Sequence, residues 1–194
     1  MNKELIIRSS SEAVDFALLK DGKLIELHKE QETSNFQVGD IFIAKIRKPV
    51  PGLNAAFVNV GYEKDAFLHY HDLGPNLASQ LKFIKLVSAG KIKDFSLKNF
   101  QFEKEIDKDG VITDVFSANQ SILVQVVKEP ISTKGPRISA ELSLAGRYIV
   151  LVPFSDRVSI SQKIEDKKEK ERLKRLVQAV KPKGFGVIVR TVAE

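Results

Sequence analysis

Most of the chain is written in the two-residue period of half-buried strands. Val14 to Leu19 and Leu24 to His28 are apolar runs on either side of Lys20-Asp21-Gly22-Lys23. Asp-Gly supplies the positive φ angles of a type I′ turn, so an opening hairpin is expected there. Lys29 to Gln37 is polar and reads as a linker. Ile41 to Ile46 is the next strand, and Arg47 to Gly52 reads as a turn because two prolines and a glycine interrupt any ladder. Ala55 to Val60 and Ala66 to His69 are short adjacent strands joined by a charged turn opening at Gly61. Such strands suit a closed five-stranded sheet.

The period then fades. Leu81 to Val87 reads as a short helix, and Lys91 to Phe100 mixes lysines with aromatics. Phe95 and Phe100 either extend a nucleic-acid path or, the reading we favour, anchor a long insertion onto the barrel. Phe102 to Ile106 and Val111 to Val115 flank Lys108-Asp109-Gly110, a second type I′ signal. Ser121 to Val127 and Arg137 to Leu142 supply closing barrel strands. Tyr148 to Val152 is an apolar strand ending at Pro153, with Val158 to Ile160 beside it. Asp166-Lys167-Lys168-Glu169 can cap a helix that runs to about Val180. Leu173, Leu176, Val177 and Val180 form its expected buried stripe, with Asp166–Lys170 and Glu171–Arg175 pairs on the outer face. Pro182 and Gly184 end it, and Gly186 to Val189 returns as a strand.

Strand alternation places Phe57 and Phe67 on one face, and His69, Tyr70 and His71 extend that face at the strand end. If that face is outward, each ring offers a base a stacking surface worth roughly 1–3 kcal/mol. A lone Phe in a strand is more often core, so a β-rich scaffold with no RNA role survives if both rings are buried. The loop from Lys128 to Arg137 carries further cations at the barrel rim. The 31 Lys and Arg against 25 Asp and Glu give a net charge of +6, which favours a polyanion only weakly. With no cysteine, a disulfide framework and a thiolate metal site are excluded within this sequence. No apolar stretch reaches the length of a membrane span, and a cytoplasmic location is the default. Glu103, Glu105, Asp107 and Asp109 read as the solvated face of a strand, and no metal site is expected from them.

Gly39 to Ile46, Asn54 to Gly61 and Asp65 to His69 together resemble an S1 domain. An N-terminal strand Glu4 to Arg8, the stretch Ile138 to Pro153 and Gly186 to Thr191 extend that likeness, in order and spacing, to the ribonuclease E/G family. It covers nearly the whole chain except Leu81 to Ala118, which is longer and differently composed than the family's loop. The resemblance implies an α+β, mainly β fold: an S1/OB-fold five-stranded barrel inserted into a partial RNase H-like subdomain. Residues 1–36 would begin that subdomain, 37–142 would be the barrel with an insertion at about 81–118, and 143–194 would complete it, truncated just past Arg190-Thr191.

The same resemblance carries Lys128 and Lys134 over as RNA-holding lysines beside Phe57, Phe67 and His69. It places the RNA's 5′-monophosphate on Arg190 and Thr191, aided by backbone of the segment containing Gly146 and Val150. A guanidinium fork and a hydroxyl suit phosphate oxygens. Gln162, followed by Lys163, departs from the family pattern, which has an arginine nearby. For the full-length parent it implies a Mg²⁺-dependent single-strand endoribonuclease of rRNA maturation and mRNA turnover, homo-oligomeric, whose catalytic aspartates lie in a further domain. The alternative is a stand-alone, non-catalytic S1 protein associated with the ribosome or translation.

Overall fold

A computed structural model describes residues 2–10, 13–31, 36–93, 96–131 and 134–194. The chain divides into two compact units, residues 1–37 and 38–194. The first is an antiparallel meander of β1 (Lys3–Ser9), β2 (Ala13–Lys20) and β3 (Lys23–Gln31). Its β2–β3 turn is the expected one, with Asp21 at φ 48° and Gly22 at φ 74°. β3 runs on through Gln31, so Lys29 to Gln31 are strand and not linker; residues 32–35 of that linker lie outside the described residues.

The second unit begins with a closed barrel of β4 (Ile41–Val50), β5 (Ala55–Asn59), β6 (Ala66–His69), β7 (Ser121–Lys128) and β8 (Arg137–Ser139), in the order β4-β5-β6-β8-β7. This is a mainly β architecture with a barrel of the OB-fold/S1 kind. Ala44, Ala56 and Ala66 share its fully buried interior with Ile46, Val58, Leu68, Ile122, Val124, Val126 and Ile138. Small residues let the larger ones meet across a narrow bore. The turn expected at Arg47 is displaced: β4 continues to Val50 through a bulge between Ile46 and Lys48, and the prolyl turn begins only at Pro51. The bulge disrupts the regular ladder just ahead of Pro49, which cannot donate to it.

Between β6 and β7 lie α1 (Leu77–Ser88), starting earlier than the sequence pattern suggested, and a single turn, α2 (Ile112–Val115). The second Asp-Gly hairpin does not form, and residues 101–107 have no regular structure. Around the would-be turn, backbone groups go to side chains instead: Tyr70 Oη donates to the Asp107 carbonyl at 2.7 Å, and Asn54 accepts from Ile112 N–H at 2.7 Å while donating to the Gly110 carbonyl at 3.0 Å. Phe100 is structural, meeting Phe83 (5.6 Å) and Phe154 (6.2 Å) edge to face; Phe95 lies outside the described residues. The insertion is thereby anchored on the segment after Val152 as well as on the barrel.

The remaining chain forms β9 (Leu144–Ala145), β10 (Ile149–Pro153), β11 (Val158–Ile160), α3 (Lys167–Val180) and β12 (Phe185–Val189), the strands in the order β11-β12-β10-β9. Within this sheet β11 and β12 pair in parallel and the other neighbours antiparallel. Asp166 caps α3 by accepting the Lys168 N–H at 2.8 Å. Leu173 and Val177 pack on Ile164, Val187 and Val189. Leu176 and Val180, expected in the same stripe, are 52% and 73% exposed because the contact is narrower than the apolar arc. The outer-face pair is Glu169–Arg172, at 2.6 Å, in place of the two expected. The Arg172 hydrogen bond holds the Glu169 carboxyl below its ordinary range.

Candidate nucleic-acid interface

Cross-strand register assembles the barrel's outer surface from residues far apart in sequence. Lys48 on β4 faces Phe57 on β5, Phe57 faces Phe67 on β6, Phe67 faces Arg137 on β8, and Arg137 faces Lys128 on β7. This is one continuous row, two rings in the middle and cations at both ends. Phe57 is 39% exposed and Phe67 half-buried, their rings edge to face at 6.1 Å. Neither is core. Ala56 and Val58, on either side of Phe57 in β5, are the residues that turn inward and are buried, so Phe57 faces outward.

Lys134 joins the rings in an open groove also lined by Lys64, Asp65, Gly135, Pro136 and Arg137. Gly135 makes this approach possible, because a Cβ there would lie 2.5 Å from the Asp65 carbonyl oxygen. Two cations are already engaged by carboxylates: Arg47 with Asp65 and Arg137 with Asp72, both at 3.0 Å. Lys48, Lys64, Lys128 and Lys134 are exposed. His69 stands two positions further along β6, outside the groove lining, its Nδ1 accepting the His71 N–H at 3.2 Å. Lys48 and Lys64 carried no signal in the sequence. Reading Arg47 to Gly52 as a turn removed Lys48 from the strand that sets its register.

A second polar cluster lies at the carboxyl ends of the parallel pair β11 and β12, the end of an open sheet where ligands commonly bind. Arg190 follows β12 directly, and its Nη1 donates to the Gly146 carbonyl at 2.7 Å. That bond uses one of five guanidinium donors. Thr191 Oγ1 lies 3.0 Å from Ser161 Oγ at the end of β11. Gly146 opens the β9–β10 turn, its N–H donating to the Ile149 carbonyl at 2.8 Å; an added Cβ would sit 3.1 Å from that oxygen. Arg190, Thr191 and Gly146 thus come together. Val150 stands behind them, its backbone in the ladder between Ala145 and Ile188. Gln162 and Lys163 are both exposed beside Ser161. Ser161 was missed in the sequence, where a serine after a three-residue strand has no special pattern.

Residues 143–194, which hold this whole cluster, match the family model described as the ribonuclease E/G family. Over all 194 residues the chain is 33% identical to Ribonuclease G of Salmonella typhimurium, of which it covers 36%. It is 34% identical over 195 residues to Ribonuclease E of Nostoc sp., covering 24% of it. With Ribonuclease E of Synechocystis sp. it shares 36% identity over 163 residues, 84% of this chain and 20% of the relative. The chain belongs to the ribonuclease E/G family. It spans about a third of the length of the Ribonuclease G relatives it matches.

In this ribonuclease E/G family member Glu103, Glu105 and Asp107 are each held by a neighbouring group. Glu103 pairs with Lys82 at 2.7 Å and Glu105 with Arg157 at 2.5 Å, while Asp107 Oδ1 accepts the Asp109 N–H at 3.1 Å. They lie on irregular chain and not, as expected, on a strand face. Among the described residues no group of three or more His, Asp or Glu side chains is placed to hold a metal ion. No described helix is long and apolar enough to cross a membrane.

Proposed function

We propose that this chain is the RNA-holding N-terminal part of a ribonuclease G-like single-strand endoribonuclease, acting in rRNA maturation and mRNA turnover. The barrel grips single-stranded RNA, and Arg190 with Thr191 reads its 5′-monophosphate. The observation that carries the reading is the cross-strand row from Lys48 through Phe57 and Phe67 to Arg137 and Lys128. The exposed Phe57 and half-buried Phe67 rings offer sequence-tolerant stacking, while the flanking cations follow the phosphate backbone.

Support for the 5′-end reading is chemical. Arg190 is oriented by Gly146 and Thr191 by Ser161, so a guanidinium fork and a hydroxyl meet at strand ends where an anion can approach. The β1–β3 meander and the four-stranded sheet are each assigned to the RNase H-like subdomain. Hydrolysis, its Mg²⁺ ions and homo-oligomerisation are assigned to the full-length parent, and His69 to the edge of the RNA path. A stand-alone S1 protein is the weaker reading, because the likeness to Ribonuclease G runs through the whole chain and not the barrel alone.

Fluorescence anisotropy with a short single-stranded RNA bearing a 5′-monophosphate or a 5′-hydroxyl, at two salt concentrations, tests both halves. Salt-sensitive binding of both RNAs with preference for the monophosphate is expected. Binding to neither would sink the RNA reading, and equal binding would remove the 5′-end reading.

A further inference from the structure

Tyr148 stands one residue before β10, and its carbonyl accepts the Arg190 N–H at 2.8 Å. The ladder that pairs Ile149 with Val189 therefore extends one step, making Tyr148 and Arg190 cross-strand neighbours. Ile149 and Val189 turn into the core beneath α3. By strand alternation Tyr148 and Arg190 turn to the opposite face, where Val150 and Ile188 form the next pair. On that face Tyr148 is 50% exposed and Ile188 43% exposed. An apolar strip thus starts beside the Arg190 guanidinium. Arg147 lies over the Tyr148 ring, 5.2 Å from its centroid, in cation–π geometry. The sheet's core is on the other side, so packing does not account for an exposed aromatic here.

We propose that Tyr148 is the stacking platform for the base of the RNA's 5′-terminal nucleotide, with Arg147 backing the ring and Val150 and Ile188 edging the strip. This rests on the reading of Arg190 and Thr191 as the 5′-phosphate site. Directly opposed side chains lie about 5 Å apart at Cβ, a span that suits one nucleotide bridging from its phosphate to its base. A purine, with the larger face, is favoured over a pyrimidine. Recognition of the end then requires a nucleotide and not a phosphate alone.

The test is anisotropy of the full 194-residue chain with hexanucleotides whose first position is adenosine or an abasic ribose, each with a 5′-monophosphate or a 5′-hydroxyl. Among the monophosphates, adenosine should bind about tenfold more tightly than the abasic end, the worth of one stacked base. Tyr148→Phe should keep that ratio. Tyr148→Ala and Tyr148→Leu, the second retaining an apolar strand residue, should bring it to one. Equal affinity for adenosine and abasic monophosphates in the unaltered chain, including no binding to either, overturns the proposal. So does a base preference that survives in both Tyr148→Ala and Tyr148→Leu. The abasic pair reads the phosphate alone: a monophosphate-to-hydroxyl ratio of one there means that the Arg190 site itself has failed, while a higher ratio without base preference means that only the platform has.

Discussion

The barrel row and the strand ends at Arg190 differ in how their side chains are held. Phe57 and Phe67 present flat rings beside lysines that no carboxylate fixes in place among the pairs described, a surface tolerant of any base. Arg190 and Thr191 are each aimed by a partner, Gly146 and Ser161, and so form a directional site for one group. A polymer held by the first and inspected by the second would meet two separable contacts. Grip would then scale with stacking and salt, and end discrimination with a few oriented donors.

Removing both rings should break the grip half most strongly. With about 1–3 kcal/mol per stacked base, Phe57→Ala with Phe67→Ala should weaken monophosphate and hydroxyl RNA alike by about a hundredfold in anisotropy titrations. Arg190→Ala should cost about 2 kcal/mol, the scale of a charged hydrogen-bonded contact, on monophosphate RNA and nothing on hydroxyl RNA. Lys48→Ala and Lys128→Ala should each lower affinity a few-fold and reduce the salt slope by about 0.7, one single-strand phosphate contact apiece. Ser161→Ala frees the Thr191 hydroxyl and should cut the monophosphate preference about threefold, near the value of one neutral hydrogen bond. Phe100→Ala sharpens the contrast from the other side: loss of its contacts with Phe83 and Phe154 should lower the melting temperature by several degrees and leave RNA affinity unchanged.

The two Asp-Gly signals show why the fold was partly legible. Asp21-Gly22 joins two paired strands, the bonds between Asp21 and Asn2 leave the turn intact, and both residues take the left-handed angles of a hairpin. Asp109-Gly110 lies where Tyr70 and Asn54 claim the carbonyls of Asp107 and Gly110 and the amide of Ile112, and neither residue takes a positive φ. Local turn chemistry yielded to side chains 37 to 58 residues away in sequence. The same limit applies to the interface. Phe57 and Phe67 could be found because both sit on recognisable strands, whereas Lys48 joins their row only through a bulge, and Ser161 meets Thr191 only through a parallel pairing.

The most direct test is the ratio of dissociation constants for hydroxyl and monophosphate RNA, measured in the unaltered chain, the Phe57→Ala/Phe67→Ala chain and Arg190→Ala. Two separable contacts predict a ratio well above one that survives loss of the rings, although both affinities fall, and drops to one in Arg190→Ala. A ratio that collapses equally in both variants, or that stands at one from the start, would contradict the division between grip and end recognition.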